Sequence, residues 1–256
     1  MRPRPFIIIL GFLLTIGYLP GSAAAQSARM ILALGSPGFL DDQSIQAATG
    51  AEVKRDLDRF QLKDFSVVVL ANIAFPALPE PVRQGLTQYV NDGGSLLITG
   101  GPQSFGSGGY DAVAPLIPFQ IRSAGDWRFT PFRSPVPLQP GHPILAGVTF
   151  ITVGNLNDMN PRGDASEILR AAGGGSAAGR VTGAVPVPTP LGAPGTGPIG
   201  GGSYPYPLIA ELTVGAGRVI GIALDLNEFS GMPDRDLFVG NTIGYLVRAS
   251  RIAPAR

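Results

Sequence analysis

The chain has 256 residues, 45% of them hydrophobic and 14% charged, with a formal net charge of +1 at pH 7. It can bury the core of one large domain or two small ones. The lack of any run of like charge argues against nucleic acid as a partner. Cysteine is absent, which removes disulfide staples and the commonest covalent nucleophile together.

The N-terminus reads as a secretory signal. Arg2 and Arg4 form a basic start, "FIIILGFLLTIGYL" (6–19) an apolar stretch, and Ala23 and Ala25 an A-x-A cleavage site. The expectation is a signal peptide over 1–25 and a mature domain over 26–256, periplasmic or extracellular. The apolar run is short beside the ~20 residues of a membrane span. An uncleaved anchor is the alternative, and after cleavage no stable membrane span is expected.

"RMILALGS" (29–36) reads as a buried strand, and "DDQSIQAATGAEVKRDL" (41–57) as a helix with Asp42 or Ser44 available as its cap. "FSVVVLAN" (65–72) is a second strand, short and β-branched as buried parallel strands are. In "LPEPVRQGLTQYVNDGG" (78–94), Val82, Leu86, Tyr89 and Val90 share one helical face. Pro79 and Pro81 suit the start of this helix, and Gly93 or Gly94 its end. "SLLITGG" (95–101) is the third strand. Strand and helix alternating with short connections predict a right-handed parallel sheet.

The segment 115–148 is rich in proline and reads as extended pieces and turns. "SEILRAA" (166–172) reads as a further strand, and 173–207 as a Gly/Pro-rich loop insertion. "LIAELTVGAGRVIGIALD" (208–225) has the pattern of a hairpin turning at Gly-Ala-Gly. The closing stretch 234–250 predicts a helix with Leu237, Phe238, Ile243, Leu246 and Val247 on a broad apolar face.

The chemically suggestive stretch is "GGSLLITGGPQSFGSGGY" (93–110), a strand running into a glycine-rich turn. A phosphate cradle fits poorly. The turn has no lysine, matches no dinucleotide or P-loop pattern, and Pro102 removes a donor. As a nucleophile elbow it half matches: Ser104 and Ser107 each have glycine on one side only of the G-x-S-x-G spacing. The only histidine, His142, lies in the turn "QPGHPILAGV" and is either a triad base or a residue that caps and packs locally. The remaining use is structural, a turn that lets backbone approach a neighbour closely.

"YVNDGGSLLITGGPQSFGSGGY" (89–110) resembles the signature of the glutamine amidotransferase domain of bacterial exported and membrane proteins, in the class I glutamine amidotransferase-like superfamily. "GHPILAGV" (141–148), the hairpin with its strand end over 208–229, and the closing helix resemble the same superfamily, with 173–207 as an insertion. The resemblance implies an α/β fold, a flavodoxin-like three-layer sandwich with a mostly parallel central sheet. Working members use a Cys nucleophile at the elbow with a His-x-Glu pair after a later strand. In the register of the resemblance, Thr99 or Gly100 stands in the Cys position, and Asp225 and Asn227 in those of the pair. Every triad member is then substituted, and the thiol mechanism is excluded by composition.

A ligand cleft at the strand ends is expected to be lined by Gly100, Gly101, Gln103 and Ser104 on one wall, and by Asp225, Asn227 and Glu228 on the other. A small polar or sugar-like ligand suits backbone donors beside carboxylates. Trp127, Tyr110, Tyr204 and Tyr206 are available to stack on a sugar or to pack. Capping of the closing helix or its loop is the structural alternative for Asp225 and Asn227. The pattern calls for no metal and no cofactor.

Three readings follow. The first is a binding or interaction module of the cell envelope without glutaminase activity, with a ligand or an envelope protein as partner. The second is a hydrolase or transferase using Ser104 or Asp225, which requires Ser104 within reach of His142 or an acid. The third is a purely structural envelope subunit, which requires a filled cleft and an exposed apolar patch for a partner.

Overall fold

The computed structural model describes residues 29–129, 134–172, 178–180, 206–229 and 233–253. The signal-peptide expectation for 1–25 lies outside them. So does most of 173–207, Tyr204 included.

Strand β1 (Met30–Gly35) leads into helix α1 (Asp42–Thr49), the short strand β2 (Glu52–Lys54) and strand β3 (Val67–Ala71). Helix α2 (Glu80–Asn91) then precedes β4 (Ser95–Thr99). The middle of the chain holds β5 (Phe119–Ile121), β6 (Trp127–Phe129), β7 (Ser134–Pro137), β8 (Phe150–Thr152), β9 (Asn155–Asn157), β10 (Met159–Pro161), β11 (Ser166–Ala172) and β12 (Ala178–Arg180). The hairpin β13 (Tyr206–Val214) and β14 (Gly217–Ile222) precedes helix α3 (Arg235–Ala249).

Eight strands form one sheet in the order β2-β1-β3-β4-β14-β13-β11-β7. The first five are mutually parallel; β13, β11 and β7 join antiparallel. Successive side chains of a strand point to opposite faces, and both faces here are apolar. Ile31, Val67, Val69, Leu97 and Ile220 join Ile45 of α1 and Phe238, Ile243 and Leu246 of α3 on one face. Leu32, Val68, Leu70, Leu96 and Ile98 join Val82, Leu86, Tyr89 and Val90 of α2 on the other. The result is the expected α/β sandwich of flavodoxin-like type, with a large, mostly parallel central sheet and helices on both sides.

The outer edge strand β7 carries Pro135 and Pro137, which lack ladder donors and discourage further pairing. Three two-stranded ribbons, β5–β10, β6–β9 and β8–β12, pair the short strands outside the main sheet.

Three details differ from the sequence reading. Helix α1 stops at Gly50, whose φ of +69° closes it in the left-handed conformation, and the next residues form edge strand β2 instead of more helix. Its cap is Asp41, one residue before Asp42 and three before Ser44, accepting from Ser44 N at 3.0 Å. On α3, Leu237 is 44% exposed, while Phe238, Ile243, Leu246 and Val247 are buried as expected.

Candidate functional site

The carboxyl ends of β1, β3, β4 and β14 meet at one edge of the sheet. After β1 the chain passes to α1 on one face; after β3 it passes to α2 on the other. A crevice between such diverging loops is where open α/β sheets bind ligands. The structure brings Gly100, Gly101, Gln103 and Ser104 to this edge from β4, and Asp225 and Asn227 from β14.

The glycine-rich turn after β4 is occupied by the chain's own polar side chains. Asp126, 0% exposed, accepts from Gly106 N (2.9 Å), Ser107 N (2.9 Å), Ser107 Oγ (2.7 Å) and Asn157 Nδ2 (3.0 Å). Asn157, 1% exposed, accepts from Gly101 N at 2.9 Å and donates to Gly101 O at 3.2 Å. Asn72, at the end of β3 with φ +44°, accepts from Gln103 N at 2.9 Å. Four backbone N–H groups that a phosphate or oxyanion would need are therefore bonded internally. Phe105, in the left-handed region at φ +48°, drives its ring into the core against Phe119, centroid to centroid 5.6 Å. Bulky residues rarely adopt this conformation, and the loss of backbone freedom is offset by a fully buried aromatic ring.

Neither candidate for the nucleophile position can serve. A Cβ on Gly100 would lie 2.4 Å from Ala223 O and 2.8 Å from Asn157 Oδ1, so this position has no room for a side chain. Thr99 is fully buried, and its hydroxyl has no hydrogen-bond partner among the described residues.

Ser104 is also fully buried, and its Oγ donates to Thr99 O at 2.7 Å, so the hydroxyl closes the turn it sits in. The approach of Ser104 to His142 that a serine hydrolase would require does not occur. His142 Nδ1 accepts from Ile144 N at 3.3 Å, and Nε2 faces Glu211 Oε2 at 3.3 Å. This is the local capping alternative, joined to a contact with the buried carboxylate of Glu211. Glu211 also accepts from Arg218 Nη1 (2.5 Å) and Tyr245 Oη (2.6 Å). Arg218 is in register with Ser95 at the start of β4, whereas the turn begins after Thr99. Four strand residues, about 13 Å, separate the two levels of the sheet.

Asp225 Oδ1 accepts from Asn227 N and from Asn227 Nδ2, both at 2.9 Å. This is an Asx turn opening the 3-10 turn Leu226–Phe229. It is a capping role, though not one on α3. Asn227 Nδ2 also donates to Ser36 O at 2.8 Å, latching the loop after β14 onto the loop after β1. Exposed Glu228 accepts from Asn155 Nδ2 at 2.9 Å.

Among the aromatic candidates, Tyr110 is a core residue whose hydroxyl donates to Ile73 O at 2.9 Å. Burial pushes its phenol well above the ordinary tyrosine range. Trp127 is half-buried beside the turn, its backbone N 3.4 Å from Ser107 Oγ. Tyr206 packs, half-buried, against the α1/α3 side of the core. No group of three or more His, Asp or Glu side chains placed to hold a metal ion occurs among the described residues.

The residues that decide the site's chemistry, Asp126, Asn157 and Asn72, were not among the sequence candidates. They carry no local signal, because each lies at least 19 residues from the backbone it holds.

No family model matches the chain, and no curated protein matches it. Solved structures do resemble it. A cytoplasmic protein from Salmonella typhimurium superposes with a TM-score of 0.60 at 14% identity, covering 85% of this chain and 98% of its own. A second cytoplasmic protein, from Salmonella typhimurium LT2, gives 0.58 at 14% identity over 85% and 99%. A ThuA-like protein from Bacteroides uniformis gives 0.52 at 13% identity over 92% and 97%. At these identities the likeness is one of fold alone: the chain shares the α/β architecture of these structures.

Proposed function

We propose that this chain is a glutamine amidotransferase-like domain without glutaminase activity, exported to the cell envelope, where it acts as a binding or interaction module. The observation that carries the reading is the closed turn. Asp126, Asn157 and Asn72 take up the backbone donors at the elbow, and Gly100 leaves no volume for a nucleophile. Export rests on the basic, apolar and A-x-A pattern of residues 2–25.

The surface left for recognition is the carboxyl edge around the latch. Exposed Ser36, Gln103 and Glu228 sit there beside half-buried Asn72 and Asn227. A small polar or sugar-like molecule, or a polar face of an envelope protein, suits these groups. A second reading, a purely structural envelope subunit, is favoured by the same filling of the crevice.

The test is glutaminase and broad esterase activity of the purified chain beside Ser104→Ala. The expected result is no turnover in either. Activity abolished by Ser104→Ala would replace this reading with a serine-dependent hydrolase. Trp127, the only tryptophan, reports on the turn, so a fluorescence titration with mono- and disaccharides separates a binding module from a structural subunit. A saturable change supports binding; a flat response favours the structural reading.

A further inference from the structure

The most exposed large apolar side chain among the described residues is Phe129, at 72%. It ends β6, directly across the β6–β9 ribbon from Asn155. Opposite residues of an antiparallel pair share a face, with Cβ atoms about 5 Å apart. Trp127 and Asn157 form the next pair on that same face. At its inner end Asn157 bonds the turn after β4, and Trp127 is half-buried beside it. At its outer end Phe129 is open to solvent, and Asn155 reaches the loop after β14.

That outer contact joins two planar polar groups. Asn155 Nδ2 donates to Glu228 Oε1 at 2.9 Å. A carboxylate only accepts, so the amide must turn its nitrogen to Glu228 and keep its oxygen for another partner. Neither Glu228 Oε2 nor Asn155 Oδ1 makes a hydrogen bond among the described residues. A Cβ at Gly154 would stand 3.9 Å from Glu228 Oε2, so a larger side chain there would cover this oxygen. Arg128 alternates to the opposite face, where its Nε lies 3.2 Å from Asp158 Oδ2. An exposed ring therefore stands beside two acceptors that are ready for donors.

We infer that Phe129, Asn155 and Glu228 form a saccharide subsite at the carboxyl edge. A pyranose ring stacks on Phe129, and two adjacent hydroxyls donate to Glu228 Oε2 and Asn155 Oδ1. The inference rests on the binding-module reading above and gives it a ligand class and anchor residues. A pyranose carries both halves of the match: a face of C–H groups for the aromatic ring and neighbouring hydroxyls for the two acceptors. A purely apolar ligand would strip water from both acceptors without replacing it. An anion would meet the charge of Glu228. A quaternary ammonium would use the ring and that charge but leave both acceptors without a donor.

The experiment is isothermal titration of the purified chain, and of Phe129→Ala, Phe129→Tyr and Glu228→Gln, with methyl glucoside, methyl galactoside, maltose and cellobiose. Tetramethylammonium is the cation control. Both positions are exposed, so the variants are expected to keep the wild-type melting temperature. At least one saccharide is expected to bind wild type saturably. Phe129→Ala and Glu228→Gln are each expected to weaken it about tenfold. Phe129→Tyr keeps the ring and is expected to bind within about threefold of wild type. A saccharide that binds wild type, Phe129→Ala and Glu228→Gln equally overturns the inference and leaves the binding-module reading standing, with the ligand elsewhere on the edge. A wild-type chain that binds no saccharide at the highest soluble concentration overturns the inference together with the small-ligand form of that reading. Tetramethylammonium binding more tightly than every saccharide overturns it in favour of a cation site.

Discussion

Gly100 and Ser104 hold the positions where an elbow would carry its chemistry, and both are committed to structure. Gly100→Cys would supply the missing thiol, but its Cβ would collide with Ala223 O. The expected outcome is destabilisation by about 1–3 kcal/mol in urea unfolding and no glutaminase activity. Ser104→Ala removes one buried bond, from Oγ to Thr99 O. It should cost about 1–2 kcal/mol in the same measurement, since the Thr99 carbonyl loses a partner. At this scale the sequence showed what was missing more readily than what was present. The absent Cys and the half-matched G-x-S-x-G pattern were readable. That Asp126 fills the turn was not, because its four donors come from residues 106, 107 and 157, and nothing local marks a carboxylate as buried. His142 was readable as a turn residue, but its partner Glu211 lies 69 residues on.

Elements with strong periodicity came through whole. The four apolar residues that place α2 on its face are the four it buries, and Leu86→Ala there should cost about 2–5 kcal/mol by leaving a cavity under the helix. Helix α1 was read too long because charged residues after Gly50 suit a helix as well as an edge strand, and only pairing with β1 decides. On α3, Leu237 matched the apolar spacing yet faces outward, 44% exposed. The α3 side also holds the cluster of buried Glu211 and His142 with half-buried Arg218 and Tyr245. Burial pushes the Glu211 carboxyl up, but hydrogen bonds from His142, Tyr245 and Arg218 and the Arg218 charge outweigh it and hold the group below its ordinary 4.5. A carboxylate depressed in the folded state contributes stability above its unfolded value, and loses it as pH falls through the folded one. Wild type should therefore lose stability more steeply below about pH 4.5 than Glu211→Gln does, measured by denaturation at stepped pH. Tyr245 has the opposite sign. Burial, with the bond and charge of Glu211, raises it to about 12, so its contribution is fully present below pH 10 and is lost as pH rises from there through about 12.

Across the whole molecule, alternating strands and helices were enough to expect a parallel sheet, and the apolar runs placed β1, β3, β4 and β14 correctly. The antiparallel extension by β11 and β7 was not readable, since no local pattern says which edge a proline-bearing strand joins. The same long-range order stitches the candidate site. Through Asp126 and Asn157, the turn after β4 is tied to β6 and β9, which are themselves paired, and Asn227 ties the loop after β14 to that after β1. The central claim is that the elbow is a structural joint held by Asp126. Denaturant unfolding of Asp126→Asn, with glutaminase and esterase assays on the same sample, tests it most directly. The amide keeps one acceptor and turns its –NH₂ toward donors, leaving buried N–H groups unsatisfied. The account predicts a loss of about 3 kcal/mol or more and no activity in either protein. Unchanged stability, together with a hydrolytic activity present in wild type and abolished by Asp126→Asn, would contradict it and make Asp126 a catalytic acid.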